Sequence, residues 1–211
     1  MNLKREHILL IILLIFYSVG TVGLLNEEYR NKFLSLTPFN LLLTCGVLLW
    51  ANNEFNFRLL AYLLLIFFIG FFIEYFGVST GVLFGEYAYG TPLGYKVGEV
   101  PLLIGVNWIL ISLSAGSLSQ LIISNKIIIL FFSAFLMTCL DVLIEPVAVK
   151  LDFWHWKDHI IPIQNYVMWF FTSLLLQFVI YKANFKLNTK AGTFVLLIQF
   201  IFFAILNLLL K

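Results

Sequence analysis

The chain has 211 residues, of which 62% are hydrophobic, 18% aromatic and only 11% charged, and its mean hydropathy is +0.99. That balance lies far outside the soluble range and marks an integral membrane protein. A formal net charge of +2, two cysteines and three histidines (His7, His155, His159) exclude a nucleic-acid binder, a disordered chain, a secreted disulfide scaffold and a histidine-rich di-iron membrane oxygenase.

A spanning helix needs about 20 mostly apolar residues. Seven stretches come close: residues 7–25, 36–51, 59–76, 100–123, 127–149, 165–181 and 191–210. They predict an all-α, polytopic membrane bundle of about seven transmembrane helices, forming one domain over residues 1–211. Lys4 and Arg5 precede the first run as they would in a signal peptide. The run is long and lacks a small-x-small cleavage site, so it is read as a helix. The second run is the weakest, because it is short, opens with Thr37-Pro38 and is followed by Asn52-Asn53-Glu54. Cys45 in this run and Cys139 in the fifth read as small core residues.

The third run carries Glu74 with Gly70, Gly77 and Gly81 on its own face, and Gly85 continues the four-residue steps. Small residues at that spacing admit a close neighbour. Residues 77–98 hold six glycines and the tyrosines Tyr87, Tyr89 and Tyr95. They lack the strand, lysine and hydroxyl of a phosphate-cradling loop, and a partly helical, partly re-entrant cover is expected. In the fourth run Pro101, Gly105, Trp108 and Ser112 share a face, beside Asn107.

The fifth run places Asp141 and Glu145 four apart, on one helical face with Ala134, Thr138 and Ala148. Acids inside a membrane span are costly unless they face protein or water, so a functional role is the default reading for these two and for Glu74. Burial and mutual repulsion both oppose ionising the pair, so at least one is expected to keep its proton near neutral pH. Pro146 removes a backbone donor, which predicts irregular backbone beside the acids.

The loop over residues 150–164 contains Trp154 and Trp156, which face the same way only in extended backbone and suggest a lid or interface belt. His155 and His159 stand four apart, but only Asp152 or Asp158 could add a third strong ligand, so no metal site is expected. The sixth run opens with Asn165 and carries Trp169, Thr172 and Ser173 at one-turn intervals. Lys and Arg number seven on the amino-terminal side and six on the other, which assigns the amino terminus to the cytoplasm by a margin of one. In either orientation the two long loops, residues 77–99 and 150–164, share the face opposite the amino terminus.

Taken in order, several elements match a known pattern over roughly residues 74–169. They are Gly77-Val-Ser-Thr-Gly81 with Phe84-Gly85-Glu-Tyr87-Ala-Tyr89, Val100-Pro101 leading to Trp108, Asp141-x-x-x-Glu145-Pro146, Trp154-x-Trp156, and Pro162-x-x-Asn165-x-x-x-Trp169. In this the chain resembles the CruF-type carotenoid hydratase family of membrane carotenoid biosynthesis proteins. Many of those relatives carry Asp where this chain has Glu145, a change that keeps the carboxyl and moves it by one methylene.

The resemblance implies a carotenoid 1,2-hydratase, a hydro-lyase that adds water to the terminal double bond of an acyclic carotenoid end (lycopene, gamma-carotene or a related C40 or C50 chain) without a cofactor. It implies Asp141, Glu145 and Glu74 as catalytic residues, with Tyr87, Tyr89, Trp108, Trp154, Trp156, Asn165 and Trp169 binding substrate and no metal. The substrate would be dissolved in the bilayer and enter sideways, with water arriving from the face that bears the two long loops. Other carotenoid biosynthesis enzymes are candidate partners, no nucleic acid is expected, and the expected location is a prokaryotic cytoplasmic membrane. A non-catalytic proton-coupled transporter or lipid-binding membrane protein is the alternative, in which the acids form a relay stepped across the bilayer. There is no internal repeat to support an inverted-repeat transporter, and no aspartate-rich motif to hold the magnesium diphosphate of a prenyltransferase.

Overall fold

The computed structural model describes residues 3–51, 56–184 and 188–210. Asn52-Asn53-Glu54, Lys186 and Lys211 lie outside the described residues. Every one of the seven apolar runs forms a helix. Among the described residues six helices are long and apolar enough to cross a membrane: α1 (Leu3–Leu25), α4 (Phe57–Thr80), α5 (Leu103–Ile122), α6 (Lys126–Lys150), α7 (Ile163–Ala183) and α8 (Thr189–Leu209). The run flagged as weakest is α3 (Thr37–Ala51), with 15 residues. At ~1.5 Å per residue it is about 22 Å long, short of the ~30 Å hydrocarbon core.

A short helix the sequence did not suggest, α2 (Arg30–Ser35), fills the turn between α1 and α3. Arg30 seals the preceding end, its Nε donating to the Leu24 carbonyl at 2.9 Å, one of the acceptors that every helix leaves open at its C-terminus. Pro38 sits in the first turn of α3, where its missing donor costs nothing.

α5 is the central helix. Of its span 72% is buried, against at most 44% in any other candidate span, and it packs on α3, α4, α6, α7 and α8. Its residues 112–119 read Ser-Leu-Ser-Ala-Gly-Ser-Leu-Ser, and small side chains of this kind let neighbouring backbones approach closely. Two of the four serines spend their hydroxyls within the helix, Ser117 donating to Leu113 O and Ser119 to Ala115 O, both at 2.8 Å, and Ser133 of α6 donates to Ser119 Oγ at 2.7 Å, while the Ser112 and Ser114 hydroxyls are buried with no partner among the described residues. Gly192 of α8 lies directly on Ser117, with no space for a Cβ.

At one end of the bundle the two long loops pair with each other. Gly81 ends α4 in the left-handed region (φ 67°), so Gly85 does not continue the helical glycine series. The chain then forms β1 (Tyr87–Tyr89), β2 (Lys96–Val97) and β3 (Val100–Pro101), and later β4 (Trp154–Trp156). β1 pairs antiparallel with β4, while β2 pairs with β3 in a separate small hairpin. The expected partly helical cover is thus a pair of short ribbons and turns.

α6 runs without interruption through Pro146, so the irregular backbone expected there does not occur. Asn207 of α8 supports this stretch, donating to Leu143 O at 2.7 Å, next to the Val142 carbonyl that the proline leaves without its usual donor.

Replacing Gly192 by Leu would drive a side chain into Ser117 of the central helix. Gly192→Leu should lower the stability of the detergent-solubilised protein by about 1–3 kcal/mol, seen as a lower thermal midpoint. An unchanged midpoint would show that α5 and α8 do not pack at this seam.

Candidate active site

Strand geometry explains why four aromatic residues converge. In β1 and β4 alternate side chains share a face, and the register sets Tyr87 opposite Trp156 and Tyr89 opposite Trp154. The ring centroids of these pairs are 4.9 and 5.9 Å apart. All four polar tips point at the helices, while Ala88 and His155 face outward between them. His155 lies 3.8 Å from Asp152. It is on a strand and His159 is in a 3₁₀ turn, so the four-residue spacing is not read on a helix.

Three carboxylates lie beneath this ribbon, and each is almost wholly buried: Glu74 at 4%, Asp141 at 0% and Glu145 at 1% exposure. Glu74 of α4 accepts from Tyr87 Oη, from Tyr89 Oη at 2.9 Å and from Trp108 Nε1 of α5 at 3.3 Å. Burial first, and then the neighbouring Glu74 charge, hold the Tyr87 and Tyr89 phenols well above their ordinary range, so both remain donors.

Glu145 of α6 accepts at Oε2 from Trp154 Nε1 (3.0 Å) and Trp156 Nε1 (2.7 Å). Its Oε1 accepts from Asn165 Nδ2 of α7 at 3.1 Å, and the same nitrogen donates to Asp141 Oδ2 at 2.9 Å. Asp141 Oδ1 is buried with no hydrogen-bond partner among the described residues. Ala134 and Ala148 are buried with the acids, whereas Thr138 is half-buried and turns its hydroxyl back to Ala134 O.

A small polar cavity of about 20 Å³ separates the two clusters, the size of a single water site. Glu74, Tyr87, Tyr89 and Trp108 form one wall, and Glu145, Trp154, Trp156 and Asn165 the other. Trp108 and Trp169 lie against each other at one side, with centroids 4.3 Å apart and ring planes tilted by 32°. Every site residue singled out in the sequence lines this cavity except Asp141, which stands behind Asn165. Trp154 and Trp156, read from the sequence as a lid or interface belt, lie in the ribbon that covers the carboxylates and turn their indoles inward onto Glu145, with Trp156 buried and Trp154 half-buried.

Gly90 fixes how close the ribbon lies. Its amide donates to Phe153 O at 2.9 Å, and a Cβ there would collide with the Asp152 carbonyl. Gly70 performs a similar service in α4, because a Cβ would strike the Trp108 indole.

A second cavity, of about 330 Å³ and almost entirely apolar, adjoins the first. The two share Ile104, Asn107 and Trp154. Its walls come from α1, α3 and α8, including Tyr17, Gly20, Asn40, Gln199 and Phe202. In the sequence this half of the bundle carries no acid within its apolar runs to mark it. Asn40 and Gln199, two amides inside apolar runs, were the available signal.

Residues 37–211 match the family described as carotenoid biosynthesis protein. Over 136 residues the chain is 29% identical to a bisanhydrobacterioruberin hydratase of Haloarcula japonica, a stretch that covers 59% of this chain and 46% of that protein, less than half of its length. No solved structure matches the chain.

Gly90→Ala should separate β4 from the loop after β1. The backbone amides of residues 87–89 should then exchange with solvent at least tenfold faster, about 1.4 kcal/mol of lost local stability, with a shift in tryptophan emission. Unchanged exchange would show that the ribbon does not depend on this contact.

Proposed function

The chain belongs to the carotenoid biosynthesis protein family, and from that premise we propose that it is a carotenoid 1,2-hydratase, adding water to the terminal double bond of an acyclic C40 or C50 carotenoid. The observation that carries this reading is the pairing of two buried, heavily hydrogen-bonded carboxylates across a cavity of water size, in a site walled by indoles and phenols. The hydratase relative of Haloarcula japonica supports it.

Hydration of a trisubstituted alkene begins with a proton placed on the less substituted carbon. This leaves a tertiary cation, and a water oxygen then captures it and loses a proton. Glu145 is the proton donor in this reading. Its Oε2 already accepts two indole N–H groups, which leaves Oε1, facing Asn165, as the oxygen that carries the transferable proton. Asp141 is the positioning partner, because the single nitrogen of Asn165 ties both acids together.

Glu74, across the cavity and held by three donors, supplies the negative charge that a cation needs. Trp108 and Trp169, tilted against each other in the cavity wall, add cation–π stabilisation. The donor is a carboxylic acid, weak against an alkene, so stabilising the cation has to supply much of the rate. The water that captures the cation becomes the hydroxyl of the product and gives its surplus proton to the Glu145 carboxylate, which restores the acid, and no cofactor enters the balance.

A relay would space its acids across the bilayer, whereas here Asp141 and Glu145 share one amide and Glu74 faces Glu145 across a single cavity. That arrangement favours the enzyme over the transporter reading. A substrate this apolar resides in the bilayer, and we place the protein in a prokaryotic cytoplasmic membrane beside the enzymes that build the polyene.

The reading is tested by expressing the chain in a host that accumulates lycopene or gamma-carotene and examining the pigments by liquid chromatography and mass spectrometry. The expected product is heavier by one water, more polar, and unchanged in visible chromophore. Glu145→Gln and Asp141→Asn should each lower product by about 100-fold or more while the protein still reaches the membrane. Unaltered pigments with verified membrane expression would overturn the hydratase reading, and wild-type turnover by either variant would remove that residue from the mechanism.

A further inference from the structure

The polar cavity between the carboxylates has room for about one water, and hydration consumes one water in every turnover. The ribbon closes the loop side of that cavity with large rings, for Phe84, Tyr89 and Trp156 are all buried. A further cavity lies at the other end of the bundle, where α5 ends, α6 begins and α7 ends. It measures about 350 Å³, and its walls include Gln120, Ser124, Lys126, Tyr181 and Asn184. Ser124, Lys126 and Asn184 are exposed, whereas Gln177 of α7, which also lines it, is only 1% exposed.

Gln177 opens a polar seam between α5, α6 and α7. Its Nε2 donates to Ser112 O of α5 at 2.8 Å and to Met137 Sδ of α6 at 3.3 Å. Along α7, Ser173 stands one turn nearer the acids with Thr172 beside it, and Trp169, a further turn on, lies against Trp108. Ser112 is one turn from Trp108, and Asp141 one turn from Met137. Four buried atoms of this seam have no hydrogen-bond partner among the described residues: Ser112 Oγ, Thr172 Oγ1, Ser173 Oγ and Asp141 Oδ1. Ser117, Ser119 and Thr138 return their hydroxyls to the carbonyl one turn back. That bond is open to any helical serine or threonine, yet Ser112, Thr172 and Ser173 do not make it.

Unpaired buried hydroxyls are costly, and proteins meet them with internal water that bonds to about three such groups. We propose that this seam holds a file of water molecules running from Gln177 to Asp141 Oδ1, and that water reaches the carboxylate site along it from the end of the bundle opposite the ribbon. Asn165, bonded to Asp141 and lining the site cavity, is the point of transfer. The supply role rests on the hydratase reading, whereas the file itself is measured without turnover.

Met137 reports on the file, because its wholly buried sulfur lies beside Gln177 and a hydroxyl radical formed there oxidises it. The purified full chain in lipid nanodiscs is exposed to millisecond X-ray pulses, which make hydroxyl radicals from bound internal water as well as from solvent. Oxidised residues are counted by mass spectrometry, with exposed Tyr95 as the dose reference. In the wild type Met137 should be labelled within about tenfold of the Tyr95 rate despite its burial. Thr172→Val keeps the side-chain shape and removes the hydroxyl, and Ser112→Ala removes one from α5. Each should cut Met137 labelling about threefold or more, leave the thermal midpoint close to that of the wild type, and lower hydrated pigment by a similar factor.

An unlabelled Met137 in the wild type, or labelling that neither variant lowers, would overturn the file. Lowered labelling with hydrated pigment at the wild-type level would overturn the supply role and leave the hydratase reading intact. The expected labelling pattern with no hydrated pigment from the wild type would refute the hydratase reading and leave the file standing.

Discussion

Three carboxylates buried in an apolar bundle are the constraint on which the rest of this structure depends. A charge taken out of water costs several kcal/mol unless its lone pairs are met by well-placed donors. The helices alone offer Trp108 and Asn165, one donor to Glu74 and one nitrogen shared by Asp141 and Glu145. The remaining donors, Tyr87, Tyr89, Trp154 and Trp156, come from loops that are far apart in sequence and meet only because β1 pairs with β4. The ribbon is therefore part of the electrostatic solution, and the acids in turn hold the ribbon down on the bundle. Gly90 and Gly70 mark the places where this arrangement needs two surfaces closer than any side chain allows.

The same requirement explains the choice of aromatic donors. An indole or phenol brings one directed N–H or O–H on a large apolar body, so the donors can satisfy a carboxylate and still keep the surroundings dry. Ser, Asn or Lys in those four positions would solvate the acids better and make the site wetter. The cation of the proposed reaction would need the opposite conditions, namely fixed charge and π faces in a low-dielectric pocket. Glu74 on one wall and Glu145 on the other are held by the same kind of donor set. The site is thus nearly symmetric in its hydrogen bonding, and it is the bridge to Asp141 that distinguishes one side from the other.

Much of the bundle was legible in the sequence because membrane spans announce themselves by length and apolarity. All seven runs are helical, and the weak second run is indeed the short one. The acids were legible for the converse reason, since a carboxylate in a span has few bland explanations. The two-residue spacing of Trp154 and Trp156 also signalled extended backbone, which the structure contains. What the spacing could not disclose was the partner strand, because β1 lies 65 residues earlier and a three-residue strand leaves almost no periodic signal. The glycine series after Glu74 misled for a related reason: Gly81 takes a left-handed conformation that stops the helix, and spacing alone does not separate a helical face from a cap.

The bundle divides into two halves with different physical demands, and the site lies at their boundary. α5, α6 and α7 are bound together by small side chains, interhelical hydrogen bonds such as Ser133 to Ser119 and Gln177 to the Ser112 carbonyl, and the contact of Trp108 with Trp169. That half holds Asp141, Glu145 and Asn165 in fixed geometry. α1, α3 and α8 enclose the apolar cavity instead, and α3 is too short to span alone. Close packing and a cavity open to lipid cannot occupy the same seam. The hydratase proposed here would have to hold reacting atoms rigidly and admit a long apolar chain, and such a site is best built where the two kinds of seam meet; Ile104, Asn107 and Trp154 are the residues common to both cavities.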